Sequence, residues 1–364
     1  MPASPLSVLL VGYGLGGRVF HGPLISAVDR LSLDGIVTGD PARAAHASAA
    51  HPGARVHASL DDALDAGGYD LAAISTANVT HVPFATKALA AGLHVVLDKP
   101  IAPTAVEAGT LATLAASQDR LLIPFQNRRW DSDFRTALTV ARDGRIGQVH
   151  RFESRIERMR VVPKPGWRGS ADPADMGGML YDLGAHAVDQ ALIIMGPVAS
   201  VAATVRSVRP GFDADDDVVL MLTHVSGAVS VLVVSQIGAF DSPRFTLLGT
   251  RGGLRINAAD SQEPALAAGR DPSDPGWGVE PAGSEAELRT MGEDNIAQTS
   301  PLPLERGQWP RFYAQVADAI LDGSQPPVHI ADVIENLRVL DAARLAGATR
   351  TTVTLDPPAE HGRS

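Results

Sequence analysis

The 364-residue chain contains no cysteine. Disulfides, thiol nucleophiles and thiolate metal sites are therefore excluded. No apolar run reaches the roughly 18 residues that a membrane-spanning helix needs. There is no basic block and no interleaving of aromatic with basic residues, and the formal net charge is −10, so nucleic acid is not an expected partner. The first residues run almost directly into a strand-like stretch without a basic segment or cleavage site, so no secretion signal is expected. A cytoplasmic enzyme fits these absences.

What is present is ordinary for a globular protein: 45% hydrophobic and 20% charged residues, over a length that suits two domains. The chain opens with "SVLLVGYGLGGRVFHGPLI". Ser7 to Val11 reads as a buried strand, Gly12, Gly14 and Gly17 give G-x-G-x-x-G, and Arg18 to Val28 can form a helix. Strand, glycine turn and helix is the setting in which such a motif brings backbone against a pyrophosphate at a helix N-terminus. Further strands are expected at Ser32 to Thr38, Tyr69 to Thr76, Leu93 to Pro100 and within "RLLIPFQN", with helices between them. Strands alternating with helices predict a doubly wound parallel sheet, an α/β Rossmann domain over residues 1–123.

Past Val140 the pattern changes to strand-like segments joined by turn residues, among them "DDVVLMLTHV" and "AVSVLVVSQIG". Residues 124–364 are therefore expected to form an α+β domain around a large, mostly antiparallel open sheet that binds substrate and drives oligomerisation. Valine, leucine and isoleucine fall on both alternating sets of "VLMLTHVSGAVSVLVV". One face should therefore be buried against another subunit, giving a homodimer or homotetramer. "AAGRDPSDPGWGVEPAGSEAE" reads as a long loop, a lid or a partner contact. Two helices, near Trp309 to Leu321 and Ile330 to Leu345, close the chain.

Two constellations carry chemistry. In "YDLGAHAVDQ", apolar residues recur at helical spacing, and Asp182 and His186 stand four apart, where their side chains can meet. A carboxylate there would orient an imidazole and raise its basicity. The alternative is the solvated face of an amphipathic helix. Asp98-Lys99-Pro100 ends a predicted parallel strand, the edge at which open α/β sheets bind ligands. A lysine there can stabilise a developing alkoxide. No histidine cluster suggests a metal site.

Taken in order, Gly12-Tyr13-Gly14-Leu15-Gly16-Gly17, Asp98-Lys99-Pro100 and Gly177-Gly178 followed by Asp182-Leu183-Gly184-Ala185-His186 resemble the Gfo/Idh/MocA oxidoreductases. "GYGLGGRVFHGPL", "QNRRWDSDF" and "YDLGAHAVDQAL" resemble the scyllo-inositol dehydrogenase branch, and the likeness covers nearly the whole chain. Asp98 departs from the family's usual glutamate and shortens its reach by one methylene. The resemblance implies an NAD(P)-dependent interconversion of alcohol and ketone on a cyclic, inositol-like polyol or a sugar. Hydride would pass to the nicotinamide, His186 would accept the hydroxyl proton, Asp182 would orient His186, and Lys99 would stabilise the alkoxide. It also implies that Ser75, Thr76, Asn78 and His81 lie near the cofactor, as do Asp98, Asn127, Trp167 and Arg168. Arg128, Trp130 and Tyr181 would face the substrate.

The second strand ends "IVTGDPAR". Asp40 is a candidate for the ribose 2′-hydroxyl of NAD, with a helix N-cap as its competing role. Thr38 and Arg43 could instead take the 2′-phosphate of NADP. The balance tips to NAD. Two other functions stay open: a reductase of an aldose, a dihydrodiol or a charged sugar, and an idle NAD(P)-binding sensor.

Overall fold

The computed structural model describes residues 4–162, 169–292 and 294–356. Six strands form the first sheet: β1 Leu6–Val11, β2 Leu31–Val37, β3 Arg55–His57, β4 Leu71–Ile74, β5 His94–Leu97 and β6 Leu122–Pro124. Their order is β3-β2-β1-β4-β5-β6, and every pairing is parallel. β4 and most of β1 and β5 are buried continuous apolar runs, as strands covered on both faces must be. β3 gave no sequence signal, because it is three residues long and partly exposed. β4 and β5 are also shorter than their apolar runs suggest.

Because all six strands run the same way, their C-terminal ends share one edge. Gly12 follows β1, Thr38 follows β2, Ser75 follows β4, Asp98 follows β5 and Gln126 lies just past β6. The chain order reverses at β1, which opens the crevice in which such sheets bind ligands.

The second sheet has nine strands in the order β14-β13-β12-β11-β7-β10-β9-β8-β15. They are β7 Val149–Glu157, β8 Val198–Arg206, β9 Asp217–His224, β10 Val229–Ser235, β11 Phe245–Gly249, β12 Gly252–Ile256, β13 Glu285–Met291, β14 Ala297–Pro303 and β15 Val353–Thr354. Only β7 and β10 pair in parallel; the other pairings are antiparallel. The helix Ala185–Met195 packs on β7 and β10, and the helix Ile330–Thr349 packs on β8. Val218, Leu220 and Leu222 of β9 are buried, whereas the alternate residues Val219 and Met221 are exposed.

The two C-terminal helices fold back across the molecule. Ile330–Thr349 also packs against Ala105–Ser117 between the strands of the first sheet. On Pro310–Asp322, Asp318 and Asp322 accept hydrogen bonds from Arg30 at 2.5 and 2.8 Å. The long proline- and glycine-rich segment is anchored rather than loose. Trp277 is buried and donates from Nε1 to Gln262 Oε1 at 2.9 Å, and Glu280 Oε1 accepts from Ser132 Oγ at 2.6 Å. Among the described residues no helix is long and apolar enough to cross a membrane.

Candidate active site

A groove of about 630 Å³ runs along the edge where β1, β2 and β4 end. It is lined by Gly12, Tyr13, Gly14, Leu15, Gly16, Thr38, Asp40, Arg43, Ser75, Thr76, Asn78, Asp98 and Lys99, so most of the predicted cofactor residues share one wall. Gly12 has φ +99°, and a Cβ on it would lie 2.5 Å from the Ser75 carbonyl oxygen. Only glycine permits that backbone at that separation. Gly17 is buried and does not line the groove. A bare glycine turn opening into a groove of this length fits a dinucleotide, whose pyrophosphate needs close backbone approach.

Several predicted residues also have tasks within the protein. Asp40 caps the helix Pro41–Ala50, accepting from Ala42 N at 2.9 Å and Arg43 N at 3.0 Å. His81 is buried and does not line the groove. Its Nδ1 donates to the Pro100 carbonyl at 2.9 Å, so it braces the turn after Lys99 rather than facing a cofactor. Asn78 donates from Nδ2 to the Met176 carbonyl at 3.1 Å. Trp167 and Arg168 lie outside the described residues.

The groove continues into a cleft between the sheets, with a cavity of about 220 Å³. Leu15, Gly16, Asp98, Lys99 and Asp182 line both, so the end of the groove is the entry to the cleft. Asn127 and Arg128 line the cleft, as predicted. Trp130 and Tyr181 do not, which corrects their reading as substrate contacts. Trp130 is buried edge-on against Phe312, with ring centroids 5.6 Å apart. Tyr181 donates to the Pro103 carbonyl at 2.9 Å and accepts from Arg344 at 2.7 Å, which turns it away from the cleft.

Lys99 follows β5, and its peptide bond to Pro100 is cis. Its ammonium donates to the Asp182 carboxylate at 2.9 Å and to the Asp182 carbonyl at 2.5 Å. Asp98 accepts from Ser75 Oγ at 2.9 Å and from Lys99 N at 2.8 Å. Burial works to raise the Asp98 carboxyl, but the facing His21, His81 and Lys99 outweigh it and hold the group below the usual carboxylate range. His21 Nε2 lies 3.4 Å from that carboxylate and its Nδ1 lies 2.6 Å from the buried Tyr313 hydroxyl.

The helix carrying Asp182 and His186 begins with a π-helical turn, Leu180–Gly184, and becomes α-helical at Ala185. Gly178, with φ +83°, leads into it and lies against the Asp215 carboxylate, which accepts from Leu180 N at 2.7 Å. Burial pushes Asp215 up to about 6. Asp182 lies within the π-helical turn and His186 in the α-helix that follows it. Their contacts correct the expected pairing: Asp182 meets Lys99, and the ring of His186 is held by Gln126, whose Oε1 lies 2.9 Å from Nδ1. A carbonyl oxygen only accepts, so Nδ1 carries the proton and Nε2 keeps its lone pair. Burial lowers the imidazole well below its ordinary value, and the cations Lys99, Arg128 and Arg244 push the same way. His186 is therefore neutral at physiological pH.

Gln126 was missed, although a polar residue directly after the apolar end of β6 was a signal available in the sequence. Glu263 was missed with no local signal. It accepts from Arg128 at 2.7 Å across 135 positions of chain. Asp189, one helical turn past His186, pairs with Arg129 through bonds of 2.7 and 2.9 Å rather than with the His186 ring.

A dinucleotide groove that opens onto a neutral imidazole and an ion-paired lysine defines an NAD(P)-dependent oxidoreductase. The comparisons with known proteins agree. Residues 6–125 match the model of the oxidoreductase family with an NAD-binding Rossmann fold, and residues 134–255 match the GFO/IDH/MocA C-terminal domain. The scyllo-inositol 2-dehydrogenase (NADP(+)) IolW of Bacillus subtilis is 30% identical, over 96% of each chain. Among solved structures, yvaA of B. subtilis superposes with a TM-score of 0.92 at 29% identity, covering 98% of this chain and 100% of the other. An NAD-binding protein from Listeria innocua gives 0.82 at 27%, covering 96% and 97%. The chain belongs to the Gfo/Idh/MocA oxidoreductase family.

The geometry makes a prediction about His186. In Gln126→Glu, a carboxylate replaces a neutral acceptor at Nδ1, which favours the charged ring. The His186 pKa should rise by about one unit or more, read by histidine NMR titration. No change would mean that Gln126 does not hold the ring.

Proposed function

We propose that this cleft interconverts a secondary alcohol and a ketone on a cyclic, inositol-like polyol or a sugar. The observation that carries the reading is a buried, neutral His186, held through Nδ1 by Gln126, lining the same cleft as the Lys99 ammonium. With Nδ1 protonated, Nε2 is the atom that can accept a hydroxyl proton. Depressed basicity keeps it in the accepting form at neutral pH, which a general base requires. Lys99 donates hydrogen bonds and positive charge where an alkoxide would develop. Asp182 aims Lys99, and Gln126 takes over the ring-orienting role expected of Asp182. A bound nicotinamide dinucleotide supplies the redox chemistry, exchanging hydride with the carbon that bears the reacting oxygen. A reductase acting on another sugar would use the same residues in reverse, in the cytoplasm or elsewhere.

Within this reading NADP is the preferred cofactor, against the balance of the sequence. Asp40 is engaged in capping, and Gly39 offers no carboxylate to a ribose 2′-hydroxyl. Arg43 Nη1 stands 3.8 Å from where a side chain at Gly14 would begin, on the groove wall beside Thr38. A guanidinium there suits a 2′-phosphate.

Two copies of the chain would meet through the outer face of the nine-stranded sheet. Met221 is 51% exposed and Val219 is 37% exposed, on adjacent outward positions of β9. Covering such a patch is the usual reason for it.

Three measurements test these readings. Lys99→Ala and His186→Ala should each lower turnover on a panel of inositols and sugars by about 100-fold or more while NADPH still binds. Near-normal turnover in both would remove the mechanism. Arg43→Ala should raise KM for NADP about tenfold or more and leave that for NAD within about twofold; equal effects would remove the phosphate assignment. Met221→Glu should lower the mass measured by light scattering, and an unchanged mass would place the interface elsewhere.

A further inference from the structure

Among the described residues, five cationic side chains line the cleft: Lys99, Arg128, Arg158, Arg160 and Arg209. Three of them are engaged within the protein. Lys99 bonds Asp182 at 2.9 Å, Arg128 bonds Glu263 at 2.7 Å, and Arg209 bonds Asp216 at 2.8 Å. Arg158 and Arg160 have no side-chain hydrogen bond or ion pair among the described residues. They are nevertheless partly buried, in a protein whose formal net charge is −10.

The backbone explains why both reach the cleft. Past β7 the chain stays in the sheet. Arg158 N donates to the Ser235 carbonyl at 3.1 Å, Arg160 N donates to the Gln236 carbonyl at 2.8 Å, and Met159 bridges Ile237. Extended backbone sends alternate side chains to opposite faces. Met159 is accordingly 57% exposed, while Arg158 and Arg160 point together into the cavity. Arg209 fastens this edge by donating to the Arg160 carbonyl at 2.9 Å. The two guanidiniums are held on sheet backbone rather than on a free loop. Burial, followed by the charge of Arg160, outweighs the Glu263 and Asp182 carboxylates and weakens the hold of Arg158 on its proton, and a bound anion would act against it.

We propose that Arg158 and Arg160 form an anion subsite, so that the substrate is a polyol or sugar bearing a carboxylate or a phosphate. Arginine pairs recognise both groups through parallel N–H···O bonds, and a neutral polyol would leave the pair unmatched. The inference rests on the cleft being the alcohol-binding site. Its anion would be fixed at one end while the reacting hydroxyl lies between His186 and Lys99.

The test is calorimetric binding to the NADPH-loaded protein. The matched sets are D-glucose with D-glucuronate and D-glucose 6-phosphate, and D-galactose with D-galacturonate and D-galactose 6-phosphate. At least one anionic member should bind about tenfold or more tightly than its neutral counterpart. The preferred anion separates a sugar acid from a sugar phosphate. In Arg158→Gln/Arg160→Gln the preference should fall to about one, while circular dichroism and NADPH affinity stay unchanged. The inference is overturned if no anion binds more tightly than its neutral partner, or if the double variant keeps the preference. Binding needs no turnover, so the two readings fail differently. Loss of the catalytic reading leaves the anion preference without reaction, and loss of the subsite leaves reaction without the preference.

Discussion

The ion pair between Lys99 and Asp182 is the contact on which the rest of the site depends. Lys99 leaves the end of β5 in the first sheet, and Asp182 opens the helix that packs on the second. Two bonds from one ammonium, to the Asp182 carboxylate at 2.9 Å and its carbonyl at 2.5 Å, join those supports at the mouth of the cleft. Everything the groove delivers from the first sheet, and everything the second sheet offers a substrate, meets there. The residues flanking Lys99 hold it in place. Asp98 takes its backbone N–H and the Ser75 hydroxyl, and His81 secures the Pro100 carbonyl.

Across the cleft, electrostatics and hydrogen bonding set one histidine for its task. Burial and the surrounding cations strip His186 of its charge, and Gln126 fixes which nitrogen holds the remaining proton. A carboxylate at Nδ1 would have worked the other way by favouring the imidazolium. On the proposed mechanism, an amide suits a ring that must stay neutral until a hydroxyl proton arrives. The shorter Asp98 in place of glutamate matters less than its side-chain type suggests, because Ser75 and a nearby His21 satisfy the carboxylate at that length.

Much of this was legible in the sequence. The glycine turn, the alternation of strands and helices, and Asp98-Lys99-Pro100 at a strand end predicted the parallel sheet and the wall of the groove. Parallel topology alone brings those residues to one edge. The antiparallel character of the second sheet was readable too, except for the parallel pairing of β7 and β10, which sequence patterns do not encode. The errors share a physical origin. A period of 3.6 residues put Asp182 over His186, but the Lys99 ammonium, brought in from the first sheet, takes the Asp182 carboxylate instead. Trp130 and Tyr181 looked like cleft residues by their neighbours in the chain, but their rings face the packing between helices. Asp40 was ambiguous, since a residue before proline at a helix start can cap the backbone or face a ligand, and it caps. Contacts such as Arg128 with Glu263 join segments far apart in sequence and carry no local signature.

The central claim is that His186 Nε2 and the Lys99 ammonium share one substrate hydroxyl. A crystal structure of the protein with NADP and a bound sugar or sugar acid tests it directly. The account predicts one hydroxyl oxygen within hydrogen-bonding distance of both atoms, with Gln126 still on His186 Nδ1. A substrate hydroxyl that contacts neither, or a His186 ring turned so that Nδ1 faces the cleft, would contradict it.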